Sequence, residues 1–133
     1  MTPAEALAAV IAGEDAAIYA HEVAGARLPD TARQRARTAL DSHRAHRSQA
    51  AAMLVAVGGT VPGAAAAYAL PADVSKPQGA RAALAAVDNA LVGTYADAAA
   101  ALGGGDRRWA ARTGAEYATS AVIWGADTQA FPR

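Results

Sequence analysis

The stretch Gly58-Gly59-Thr60-Val61-Pro62-Gly63-Ala64-Ala65-Ala66-Ala67-Tyr68-Ala69-Leu70-Pro71-Ala72-Asp73-Val74-Ser75-Lys76-Pro77 decides how this chain folds. It holds three prolines and three glycines around one apolar cluster, Tyr68-Ala69-Leu70-Pro71, and interrupts a sequence otherwise patterned for helix. Helix-to-helix connections in compact bundles typically take about 2–8 residues. A link this long must run the length of a bundle or carry function.

Outward from that link, each side reads as a helical hairpin. Thr2, Pro3 and Glu5 form a capping box for a helix over about 3–24, which ends at Gly25-Ala26-Arg27-Leu28-Pro29. Asp30 is expected to cap a second helix over about 31–57, stopped by Gly58-Gly59. Beyond the crossover, about 58–77, a third helix spans about 78–102 and ends at Gly103-Gly104-Gly105. Asp106 is expected to cap a fourth over about 107–124, with Gln129–Arg133 as a short extension. Two antiparallel hairpins with one long crossover is an all-α four-helix bundle, expected as a single domain over 1–133.

Composition agrees. About a third of the 133 residues are alanine, the best intrinsic helix former, and aromatics make up 5%. Strand formers are too sparse for a sandwich, barrel or parallel sheet. Twelve basic and twelve acidic side chains cancel, so no global field draws the chain to nucleic acid or an anionic membrane. The absence of cysteine excludes disulfides, thiolate metal sites and thiol nucleophiles. No apolar run reaches the roughly 18 residues of a spanning helix and the start lacks a signal-peptide pattern, so a cytoplasmic protein is expected.

Function is sought where polar residues fall on the apolar stripes. The stripes read Leu7, Ile11, Glu14, Ile18; Leu40, His43, Arg47, Leu54; Leu84, Asp88, Leu91, Tyr95, Leu102; and Trp109, Thr113, Glu116, Ser120, Ile123. Each helix carries a titratable residue near its midpoint, so Glu14, His43, Asp88 and Glu116 are expected to converge inside the bundle. Three buried carboxylates need compensation. The candidates are a metal ion, the imidazoles of His43 and His46, Arg47 or Arg112, and hydroxyls of Tyr19, Tyr68, Tyr95 or Tyr117.

With these residues in place, the chain resembles the ferritin-like superfamily. Its di-metal members carry one Glu on each of two helices and Glu-x-x-His on each of the other two. The resemblance implies that Glu14 matches the first Glu and that His43-Arg44-Ala45-His46 keeps the His of the second motif with its Glu replaced. It also implies that Asp88 stands for the third-helix Glu, and that Glu116-Tyr117-Ala118-Thr119 keeps a Glu but has Thr for His. Glu14-Asp15-Ala16-Ala17-Ile18-Tyr19, His43-Arg44-Ala45-His46-Arg47, Ala67-Tyr68-Ala69-Leu70-Pro71 and Phe131-Pro132 are similar to a bacterial ferritin-like family of unknown function lacking the complete di-metal motif. A neutral imidazole at position 43 cannot bridge two metals as a carboxylate does, which argues against an active di-iron enzyme.

The expectation is therefore a bundle of unknown biochemical role with a buried Glu/His/Asp cluster and no resident cofactor. The alternative is an oxidase or storage protein holding a divalent metal (iron, manganese or zinc) on Glu14, His43, His46, Asp88 and Glu116. A further alternative is a small anion or nucleotide bound at Arg33, Arg37, Arg44 and Arg47. No Ser or Thr is placed as a nucleophile, so no catalytic residue is assigned. Glu116 has Arg112 one turn before it as an ordinary partner. Tyr68 is expected to plug one side of the bundle. Trp109 and Trp124 read as core or interface anchors, and alanine-rich helices bury little area each, so a homodimer is expected.

Overall fold

The computed structural model describes residues 1–126; Phe131, Pro132 and the rest of the C-terminal extension lie outside the described residues. Over that span the chain forms four helices and no strand: α1 (Pro3–Gly25), α2 (Asp30–Ala56), α3 (Pro77–Ala101) and α4 (Gly104–Trp124). None of them is long and apolar enough to cross a membrane.

α1 forms the Thr2 half of the expected capping box, while the Glu5 carboxylate accepts the Thr2 hydroxyl at 3.1 Å. The Thr2 hydroxyl accepts the Glu5 N–H at 3.1 Å, with Pro3 in the first turn. The caps expected at Asp30 and Asp106 are corrected. Pro29 holds the N-cap position of α2 without a side-chain hydrogen bond, and Asp30 opens the helix at φ 43°. The α1–α2 corner is closed by Arg33 instead, whose guanidinium donates to the carbonyls of Leu28 and Ala26 at 2.9 Å each. α4 is capped at Gly103, three residues before Asp106. Gly104 takes φ 56°, a conformation glycine adopts without steric cost, so the helix begins inside the glycine run. Both aspartates sit in first turns, where the helix dipole favours a negative charge.

Two apolar clusters give the helix directions. One joins the start of α1 (Leu7, Val10, Ile11), the end of α2 (Ala50, Leu54), the end of α3 (Ala98, Leu102) and the start of α4 (Ala110). The other joins the end of α1 (Ala20, Ala24), the start of α2 (Ala36), the start of α3 (Ala80, Ala83, Leu84) and the end of α4 (Trp124). α1 is thus antiparallel to α2 and α3, its principal neighbours, and α4 is antiparallel to α3. α2 and α3 run parallel, so the crossover must carry the chain from one end of the bundle to the other. Its residues show that path: Val61 packs on the first cluster, and Leu70, Ala72 and Val74 on the second. Midway, Tyr68 lies against Tyr19 with ring centroids 5.8 Å apart.

Candidate functional site

Between the two apolar clusters lies a polar layer. Glu14, His21, His43 and Asp88 are buried to 0, 2, 1 and 0% exposure. His43 on α2 is its hub. Its Nδ1 stands 2.6 Å from Glu14 Oε2 on α1, and its Nε2 stands 3.1 Å from Asp88 Oδ1 on α3. A carboxylate only accepts, so His43 donates through both nitrogens and is an imidazolium. Burial works against that charge, but the hydrogen bonds to Asp88 and Glu14 and their negative charges outweigh it, raising the His43 pKa to about 9.

The remaining carboxylate oxygens are also satisfied. Glu14 Oε1 accepts the hydroxyls of Tyr95 and Tyr117 at 2.6 Å each, and Asp88 Oδ2 accepts Ser120 at 2.8 Å. Burial first, and then the Glu14 charge, push both phenols far above their ordinary range, so each stays a donor. Tyr95 reaches this position because Gly114 faces it on α4, where a Cβ would stand 3.1 Å from the Tyr95 Cβ. Since the Tyr117 proton is given to Glu14, His46 Nδ1–H donates to the same phenol oxygen at 2.6 Å.

His21 is different. Its Nδ1–H donates to the Ala17 carbonyl at 2.7 Å, one turn back on α1. Its Nε2 is buried without a hydrogen-bond partner, 3.9 Å from Asp88 Oδ1. Burial, and secondarily the neighbouring His43 charge, lower its pKa to about 4, so the ring is neutral with a bare lone pair on Nε2. Ligand atoms of His21, His43 and Asp88 all lie within 4.8 Å of one another.

Residues 6–133 match a family model described as a domain of unknown function, DUF4439. The chain belongs to the DUF4439 family. It is also similar to a conserved hypothetical protein, Rv2844, from Mycobacterium tuberculosis. That crystal structure matches with a TM-score of 0.87 at 30% identity, covering 92% of this chain and 93% of that one. No curated protein matches the chain.

In this DUF4439 chain the structure brings Glu14, His43 and Asp88 into one hydrogen-bonded cluster. His46 stands one step out, tied in through Tyr117, and only half-buried. Glu116 does not join: its side chain is 57% exposed, and its carboxylate lies 3.9 Å from His46 Nε2. The reason is the rotation of α4. Its inward face runs Ala110, Thr113, Gly114, Tyr117, Ala121, Trp124, one residue off the expected Glu116, Ser120, Ile123 stripe. Tyr117 in that place offers a hydroxyl to Glu14, where Glu116 would bury a third carboxylate. The Arg112–Glu116 ion pair does not form among the described residues.

The arginines are largely engaged. Arg47 donates through Nε and Nη2 to both oxygens of buried Asp15 and reaches the Pro62 carbonyl at 3.4 Å, tying α2 to α1 and the crossover. Arg44 pairs with Glu22 at 3.1 Å on the surface. Arg33 closes the corner described above. Arg37 and Arg33 line a cavity of about 330 Å³ whose wall includes His21, Glu22 and Leu40. Tyr68 stays on the crossover, its hydroxyl accepting the Ala65 N–H at 2.9 Å.

His21 is the residue that stripe reading missed. Continuing α1 by one more three-residue step beyond Ile18 lands on it, and the observed inward face (Glu14, Ala17, His21, Ala24) includes it.

Proposed function

We propose that this protein is a ferritin-like bundle in which a carboxylate–imidazolium layer stands at the level where di-metal relatives carry their metals. It does not run two-metal redox chemistry. The observation that carries this reading is His43, donating to Glu14 on one side and Asp88 on the other. The two hairpins and the end-to-end crossover support the ferritin-like part.

The donor set does not fit a metal pair. A two-metal centre of this superfamily takes a carboxylate on each of four helices. Here α2 offers His43, α4 turns Glu116 outward, and Glu14 already accepts three hydrogen bonds. Thr119, in the place of the second motif histidine, is exposed and bonds its own helix at the Ala115 carbonyl. The test is ferrous loading under air, following iron per chain and dioxygen consumption together. The expected result is no rapid oxidation; two irons per chain with fast dioxygen uptake would overturn the reading.

A second reading rests on the 330 Å³ cavity, which Arg37 and Arg33 both line. A small anion docked there would raise the melting temperature in a salt-sensitive manner, and Arg37→Ala would abolish the shift.

A further inference from the structure

We infer that the polar layer binds one divalent metal ion between His21 Nε2, His43 Nε2 and Asp88. The inference rests on the reading of the layer as one that does not hold a metal pair.

The first observation is the bare nitrogen of His21. It is the one buried side-chain polar atom without a partner among the described residues. An unsatisfied buried acceptor costs about 1–3 kcal/mol, and the protein offers no donor to relieve it. The Nδ1–H bond to Ala17 fixes the tautomer that leaves the Nε2 lone pair open toward Asp88.

The second is geometric. Two ligand atoms of a tetrahedral ion with bonds of about 2.0–2.1 Å lie roughly 3.3 Å apart. His43 Nε2 and His21 Nε2 stand 3.1 and 3.9 Å from the same Asp88 oxygen, bracketing that value.

The third is the outer support. Metal-bound imidazoles almost always donate their other N–H to a carboxylate or a backbone carbonyl. His43 Nδ1 already meets Glu14 and His21 Nδ1 already meets Ala17, while the second Asp88 oxygen is held by Ser120. None of these bonds has to break when the ion enters.

Two carboxylates against one imidazolium leave the layer with one surplus negative charge. A divalent cation in place of the His43 Nε2 proton, which leaves to solvent, brings the sum to zero. Two imidazole nitrogens and one carboxylate oxygen suit zinc, cobalt or ferrous ions over magnesium or calcium. Glu14 is a positioning residue in this set, and His46 and Glu116 stand outside it.

The experiment uses the full chain stripped with chelator and titrated with Zn²⁺ and with Co²⁺, read by calorimetry and by cobalt absorption. We expect one ion per chain, an affinity lower in His21→Ala by more than the roughly 10–100-fold that losing an outer partner of a ligand costs, and one retained site in His46→Ala and Glu116→Ala. Should His21→Ala fail to fold, the imidazole nitrogen spectrum of the unsubstituted protein replaces it, with the His21 Nε2 resonance shifting on addition of Zn²⁺. No retained ion, or an ion that leaves His21 Nε2 unmoved, would overturn the inference and leave the preceding reading intact. Two ions per chain would overturn that reading as well.

Discussion

The His43 imidazolium lies flat on the Tyr117 ring, 4.7 Å between centroids and 9° between planes. The hydroxyl of that ring donates to Glu14, the same carboxylate that holds His43. A cation is attracted to an aromatic face, so one residue of α4 both covers the buried charge and steadies its counter-ion.

Tyr117→Phe keeps the stack and removes the hydrogen bond to a charged acceptor, which is worth about 1.5–3 kcal/mol. Urea denaturation should show a loss of that order. Glu116→Ala, one residue away and exposed, should change stability by less than about 0.5 kcal/mol. Equal losses in the two variants would contradict the rotation of α4.

His43→Ala leaves Glu14 and Asp88 buried without their shared cation. Removing one partner of a buried charge pair costs about 3–5 kcal/mol. The denaturation midpoint should fall accordingly, and Asp88→Asn in the same background should recover part of the loss.

The metal-free protein should be most stable near the ordinary histidine pKa of 6.5. His43 binds its proton up to about pH 9 in the native state but only to 6.5 when unfolded, so stability falls as pH rises through that window. His21 does the reverse. Its native pKa of about 4 means that the unfolded chain takes up a proton between 6.5 and 4 that the native chain refuses. Stability therefore rises with pH across that interval. Each shift corresponds to about 3 kcal/mol, measurable as a bell-shaped dependence of the unfolding free energy on pH in the presence of chelator.

The elements were legible because alanine runs punctuated by Gly and Pro leave little alternative to helix, and the long Gly58–Pro77 link dictates an end-to-end crossover. The meeting of Glu14, His43 and Asp88 was legible as well, since each interrupts an apolar stripe near a helix midpoint. The angle of α4 was not. Trp109, Ala110, Ala115, Val122, Ile123 and Trp124 spread apolar groups all around that helix, so the pattern cannot choose between Glu116 and its neighbour Tyr117. His21 was hidden likewise among Ala17, Ala20 and Ala24. The starts of α2 at Asp30 and α4 at Gly104 depended on the local geometry made by Arg33 and the glycine run, which cap preference at Asp30 and Asp106 does not contain.

Gly79 is where the crossover meets α3. A Cβ there would stand 1.6 Å from the Asp73 carbonyl oxygen, a backbone atom that no side-chain rotation can move aside. Gly79→Ala should cost about 1–3 kcal/mol or more, while Gly63→Ala, with nothing within 4 Å, should be near neutral. Thermal melts of the two variants check the docking of the crossover.

The protonation of His43 in the metal-free protein decides whether an imidazolium is held between the two carboxylates. At a pH midway between 6.5 and about 9, a nitrogen-resolved spectrum of the imidazoles should show directly bonded protons on both nitrogens of His43 and a bare Nε2 on His21. A His43 ring with one bare nitrogen at that pH would contradict the imidazolium layer.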